Sequence, residues 1–228
     1  MRIPRVFETI QGQERVTAQI WQAYSQNRLP SRCIFFGQEG CGKFLLAKKL
    51  SQLLLCKEHG CEHCQYCKWI QNDNHPDIKI LSASSAQGIS TDAVKSFLQE
   101  MQLQPMYGNY RIGIILHEDG NLNHFGQNAL LKTLEEPSEH RMLIIIAQSV
   151  STLLDTILSR CMTLQFQPID DELIRKKASQ IFPKSDEDTL STIVLLSQGS
   201  FQRVLDFEEK SFRQIISQLR PWFIELKE

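Results

Sequence analysis

Gly37-Gln38-Glu39-Gly40-Cys41-Gly42-Lys43 constrains this chain more than any other segment. It has the spacing G-x-x-x-x-G-K, and it stands where that spacing has physical meaning. A short apolar run, Cys33 to Phe36, precedes it, and a helical stretch, KFLLAKKLSQLLL, follows it. Glycines at these positions let backbone N–H groups turn inward, and the helix N-terminus adds partial positive charge. Gly37, Gly40, Gly42 and Lys43 therefore read as a phosphate cradle. A strand–loop–helix unit of this kind belongs to a parallel sheet covered on both faces.

The remaining pattern agrees. DIKIL (77–81), YRIGIIL (110–116), MLIIIA (142–147) and MTLQF (162–166) read as further strands, with helical segments near 90–101, 122–135 and 153–158. After residue 167 the pattern becomes wholly helical: DDELIRKKASQIF, DEDTLSTIVLLSQ and SFQRVLDF. The expectation is an α/β domain over 1–167 and a small helical domain over 168–228, the latter too small to build an ample core of its own.

The magnesium site departs from the pattern twice. The residue after the loop lysine should be Ser or Thr, whose hydroxyl binds the Mg²⁺ bridging the β- and γ-phosphates. Here it is Phe44. A later apolar strand should end in an Asp that also holds the ion, but Ile114-Ile115-Leu116 is followed by His117. Glu118 and Asp119 come next and leave a shifted register open. Loss of two ligands from one ion points to a cradle without efficient hydrolysis, and nucleotide binding stays open.

Cys56, Cys61, Cys64 and Cys67 are spaced C-x4-C-x2-C-x2-C. The N-terminus has no signal-peptide apolar region and no run approaches the ~20 residues needed to span a bilayer, so a cytoplasmic, reducing setting is expected. There, four clustered thiols suit a metal better than disulfides, and four thiolates complete a tetrahedral structural zinc site. An iron–sulfur cluster is the alternative, although ferredoxin runs continue with Cys-Pro where this chain has Lys68-Trp69-Ile70. His59 and His63 could replace a cysteine. With a net charge of -1, any nucleic-acid contact must come from a local patch or from partner subunits. A nucleic-acid-binding zinc module, with Cys56–Cys67 presenting basic residues, ranks last as a reading, because Lys57, Lys68 and Trp69 are too few for a patch.

Taken together, GQEGCGK, the four-cysteine module followed by His75-Pro76-Asp77, NALLKTLEEP (128–137) and LLDTILSRC (153–161) resemble the AAA+ clamp-loader family of bacterial DNA polymerase III, over nearly all of residues 7–167. Gly199-Ser200-Phe201-Gln202-Arg203 is more loosely similar to the family's lid motif. The resemblance implies an AAA+ domain with a zinc-module insertion and a helical lid. It also implies an arginine finger within Ser159-Arg160-Cys161, acting on the ATP of a neighbouring subunit, and a nucleotide-sensing role for Arg203. An intact Arg160 beside a defective magnesium site is the delta-prime pattern, whereas a gamma/tau-type ATPase would keep both magnesium ligands. Implied partners are gamma/tau and delta subunits and, through the complex, the sliding clamp and primed DNA. No intrinsic ATPase activity is expected. The family's third, helical collar domain is expected to be absent from this chain, which ends at Glu228.

Overall fold

Runs of branched apolar residues dictate the centre of the molecule. In the computed structural model, which describes residues 4–83, 88–117, 120–135 and 140–207, two such runs form strands β3 (Arg111–His117) and β4 (Arg141–Ala147), joined by β1 (Arg32–Phe36), β2 (Ile78–Leu81) and β5 (Met162–Gln165). They assemble in the order β2-β3-β4-β1-β5, and every pairing is parallel. Ile34 of β1 lies opposite Ile145 of β4 on one side and Thr163 of β5 on the other. Consecutive residues of β3 and β4, such as Ile114 with Ile115 and Ile144 with Ile145, are buried together. Successive side chains of a strand point to opposite faces, so both faces of the sheet are covered.

Helices α1 (Glu14–Ser25), α2 (Lys43–Leu55), α3 (Gln65–Gln71), α4 (Thr91–Met101), α5 (His124–Glu135) and α6 (Asp155–Leu158) surround this sheet. Val94, Phe97 and Met101 of α4 and Leu130 and Leu134 of α5 join Ile115 and Ile145 in one core cluster. The Ser90 hydroxyl starts α4 by accepting the Ala93 N–H at 3.1 Å. Between β4 and β5, the helical stretch expected over 153–158 is shorter: a 3₁₀ turn spans Val150–Thr152 and α6 begins only at Asp155.

The chain divides into two compact units, Met1–Gly37 with Lys43–Phe166, and Gln38–Gly42 with Gln167–Glu228. In the second unit, α7 (Asp171–Ile181), α8 (Glu187–Ser197) and α9 (Phe201–Asp206) bury Ile174, Ala178, Ile193 and Val204. Asp170, Asp186 and Ser200 cap the three helices through their side-chain oxygens. Among the described residues no helix is long and apolar enough to cross a membrane.

Candidate functional site

Lys43 opens α2, is buried, and turns its ammonium back onto the Gly37 carbonyl, joining the two ends of the glycine-rich loop. The middle of the loop is held within the second unit. Gly40 has φ +74°, and its carbonyl accepts the Phe201 N–H at 3.1 Å. A Cβ at Gly40 would stand 2.0 Å from Ser200 Oγ and 3.0 Å from the Gln202 backbone nitrogen. Only glycine fits both that conformation and that approach. Gln38 donates its side-chain amide to the Gln198 carbonyl, and Arg203 is bonded to Gln198 Oε1 at 2.6 Å.

The two departures from the magnesium pattern have structural occupations. The Phe44 ring lies 5.3 Å beneath the Lys48 ammonium, a cation–π contact. Lys48 in turn bonds the Gln71 carbonyl at 2.9 Å and Asp73 at 2.8 Å. His117 is fully buried at the end of β3. Its Nδ1 accepts the Leu122 N–H at 3.3 Å, and its Nε2 faces Thr152 Oγ1 at 3.0 Å and the Thr152 carbonyl at 3.3 Å. Burial pulls its pKa down despite these bonds, so the ring is a neutral imidazole at neutral pH. Glu118 and Asp119, the shifted acidic pair, lie outside the described residues, as do Glu136 and Pro137 of the NALLKTLEEP string.

The structure gathers the four cysteines. Their sulfurs all lie within 4.8 Å of one another, with Cys56 3.6 Å from Cys61 and 3.7 Å from Cys64. Four thiolates bound at about 2.3 Å to one tetrahedral ion stand about 3.8 Å apart, so the cluster could hold a metal ion of that type. The N–H groups of Cys64 and Cys67 point at the sulfurs of Cys61 and Cys64, at 3.4 and 3.5 Å. Burial alone would raise the Cys56 thiol, but hydrogen bonds from the amides of Cys61, Gly60 and Glu58 and from the Cys61 side chain bring it down to about 6. Cys67, buried against Cys64 and Cys56, is pushed up. His63 also meets Cys61 and Glu58 in a second, exposed group. His59 bonds Tyr24 Oη at 2.9 Å through its Nδ1.

Three polar contacts tie this module to α2: Lys49 with Glu62, Gln52 with the Cys67 carbonyl, and Lys48 with Gln71. None has a signal in the cysteine spacing. Only the helical period of α2, which sets 48, 49 and 52 on neighbouring positions, hints at them.

Ser159, Arg160 and Cys161 follow α6. Arg160 is about one-third exposed and pairs with Glu135 of α5 at 2.9 Å. It also donates to the Thr156 carbonyl at 2.9 Å and to Ser159 Oγ at 3.3 Å. Its described side-chain hydrogen bonds are all with these neighbours. Cys161 is half-buried, and burial pushes its thiol up to about 11. The Glu135 partner went unnoticed in the sequence, 25 residues from Arg160.

A family profile described as "DNA polymerase III, delta subunit" matches residues 12–170. The chain is 34% identical over 175 residues to DNA polymerase III subunit delta' of Bacillus subtilis, covering 73% of this chain and 53% of that protein. It is 29% identical over 215 residues to DNA polymerase III subunit gamma of Buchnera aphidicola subsp. Baizongia pistaciae, covering 91% and 57%. It spans about half the length of these curated relatives. Among solved structures it superimposes on the RuvB Holliday junction branch migration motor of Thermotoga maritima with TM-score 0.60 at 14% identity, covering 96% of this chain and 67% of that one. A gamma subunit-related protein from the same organism gives TM-score 0.57 at 16% identity, covering 88% and 62%. These structural likenesses speak for the fold alone, an AAA+ phosphate-loop domain.

Proposed function

This chain belongs to the DNA polymerase III delta-subunit family, and on that premise we propose that it serves as a non-hydrolysing, delta-prime-type subunit of a clamp loader. It supports ATP-dependent loading of the sliding clamp onto primed DNA beside gamma/tau and delta subunits. Its own phosphate loop is idle as a catalyst, and its Arg160 serves a neighbouring subunit's ATP.

The observation that carries this reading is the state of His117. A magnesium-binding Asp would be ionised and turned towards the metal. The imidazole is instead neutral, buried and hydrogen-bonded to Leu122 and Thr152. With Phe44 engaged by Lys48, neither residue offers an oxygen to an ion. Arg160 is accessible and permanently charged. Set against a γ-phosphate across a subunit interface, a guanidinium stabilises the charge spread over the transferring group.

The four cysteines hold one structural zinc ion, which closes the 56–67 loop. All four ligands come from the protein, so no open position is left for a substrate.

The reading is tested in a reconstituted assembly. Arg160→Ala is expected to lower DNA-stimulated ATP turnover by tenfold or more while the subunits still co-elute. Unchanged turnover would remove the finger assignment. The competing reading, a gamma/tau-like ATPase, draws on the gamma similarity over 91% of the chain. It predicts Mg²⁺-dependent hydrolysis by the isolated chain that Lys43→Ala abolishes, and no such activity is expected.

A further inference from the structure

All four tyrosines of the chain line one region of the first unit. Two adjoining clefts, of about 580 and 740 Å³, share Tyr24, Asn27, Asn109 and Tyr110, and the first is completed by Tyr66 and Tyr107. Each volume falls in the ~300–1,000 Å³ range of ligand pockets. Lys57 lines the first cleft, and Arg32 and Arg141 line the second. Among the described residues no Asp or Glu lines either, although the chain has 26 acidic residues against 25 basic ones. We propose that this groove beside the cysteine cluster binds single-stranded nucleic acid.

The rings are held in place before any ligand arrives. Trp21 stacks on Tyr24 at 5.7 Å between centroids and 25° between planes, and His59 fixes the Tyr24 hydroxyl. Trp69 braces Tyr107 edge-on at 5.4 Å, and Tyr66 stands 6.4 Å from Tyr107. The loop that carries Tyr107 is set by Asp77, whose buried carboxylate accepts the N–H groups of Met106, Tyr107 and Gly108 at 2.6, 2.8 and 3.1 Å. Tyr107 is nonetheless 49% exposed, so ring surface remains for a ligand.

The combination selects the occupant. Unstacked bases settle on aromatic faces whatever their sequence, and cations track the phosphates. Exposed Asn27 and Asn109 supply amide donors and acceptors for base edges. A duplex offers no free base face to such rings. A described lining that offers Lys57, Arg32 and Arg141 and no carboxylate, in a chain of net charge -1, complements a polyanion more than a neutral peptide. The fold draws Arg32, Tyr110 and Arg141 to the same region as Lys57, which contiguous sequence does not. The inference does not depend on the arginine assignment.

The test is fluorescence anisotropy of the zinc-loaded chain with a labelled oligo-dT of about 15 nucleotides, within the site sizes of ~4–16 seen for such grooves. Binding is expected to weaken with added salt, with a log–log slope of about -2 for three phosphate contacts. Tyr107→Ala is expected to lower affinity about tenfold and Tyr107→Phe to keep it, because the ring and not the hydroxyl stacks. Lys57→Glu, at an exposed position, is expected to reduce the salt slope by about one contact. Unchanged zinc content and melting temperature establish that each variant is folded. The proposal is overturned by absent or salt-insensitive binding, or by Tyr107→Ala and Tyr110→Ala chains that bind as the unaltered chain does. It falls equally if those variants keep DNA binding but lose association with the assembly's other subunits, which would make the groove a protein interface.

Discussion

Asp77 is wholly buried, yet its charge is answered: three loop N–H groups point at its oxygens and Arg111 lies 3.7 Å away. Removing one partner of a buried pair leaves the other uncompensated, at a cost of about 3–5 kcal/mol. Asp77→Ala should therefore lower the unfolding free energy by that amount, read as a lower urea midpoint at unchanged slope. Asp77→Asn, which keeps one acceptor oxygen, should cost less. Cys64 allows a separation of another kind. It caps α3 by accepting the Cys67 N–H as well as belonging to the thiol cluster. Serine is itself a strong N-cap, so Cys64→Ser keeps the helix start and removes a metal ligand. The unaltered chain should bind about one zinc per chain, show no iron–sulfur absorbance, and lose melting temperature on chelation. The Cys64→Ser chain should bind little or no zinc and melt at one temperature with or without chelator.

Among the elements, Gly113 shows how closely β3 fits its neighbours. A Cβ there would stand 2.6 Å from Phe97 Cζ and 2.9 Å from Met101 Sδ, both on α4. Gly113→Val should destabilise by about 1–3 kcal/mol through overpacking, read from chemical denaturation. A simultaneous Phe97→Leu change should recover part of the loss. All five strands were legible in the sequence: β1, β3 and β4 because residues buried on both faces leave nearly unbroken apolar runs, and the edge strands β2 and β5 as shorter runs broken by Lys79 and by Thr163 and Gln165. Helix α1 was not assigned, although Val16, Ile20, Trp21 and Tyr24 recur at helical spacing, and no capping side chain marks its start at Gln13. Helix α3 was missed because it is seven residues long and begins at a cysteine that reads first as a ligand. The candidate sites divide the same way. The glycine-rich loop and the four cysteines are contiguous and could be read directly. The pairing of Arg160 with Glu135, the bonds from His117 to Thr152 35 residues away, and the meeting of four tyrosines depend on chain crossings that no local pattern encodes.

For the molecule as a whole, the proposed loss of hydrolysis raises the question of whether a metal-competent nucleotide site can be built, and by how many changes. Phe44→Ser returns one oxygen to the first turn of α2 and releases Lys48 from its cation–π contact. It does not supply the negative charge missing at His117. His117→Asp supplies that charge but removes the groups that receive the Leu122 N–H and face Thr152, and it places a carboxylate in a fully buried position. Without a metal to compensate it, that carboxylate should lower stability by several kcal/mol. With Mg²⁺·ATP present, the same charge becomes a ligand, and binding stabilises the folded state by mass action. The single change Phe44→Ser is thus expected to leave Mg²⁺-dependent turnover undetectable. The double variant Phe44→Ser/His117→Asp is expected to melt below the unaltered chain without nucleotide and to gain several degrees specifically with Mg²⁺·ATP, in a thermal shift titration run with and without EDTA. A double variant that melts no lower, or gains nothing from Mg²⁺·ATP, would mean that His117 does not occupy the metal-ligand position. The proposed idle state of the site would then need another cause, and the shifted pair Glu118 and Asp119 would be the next residues to substitute.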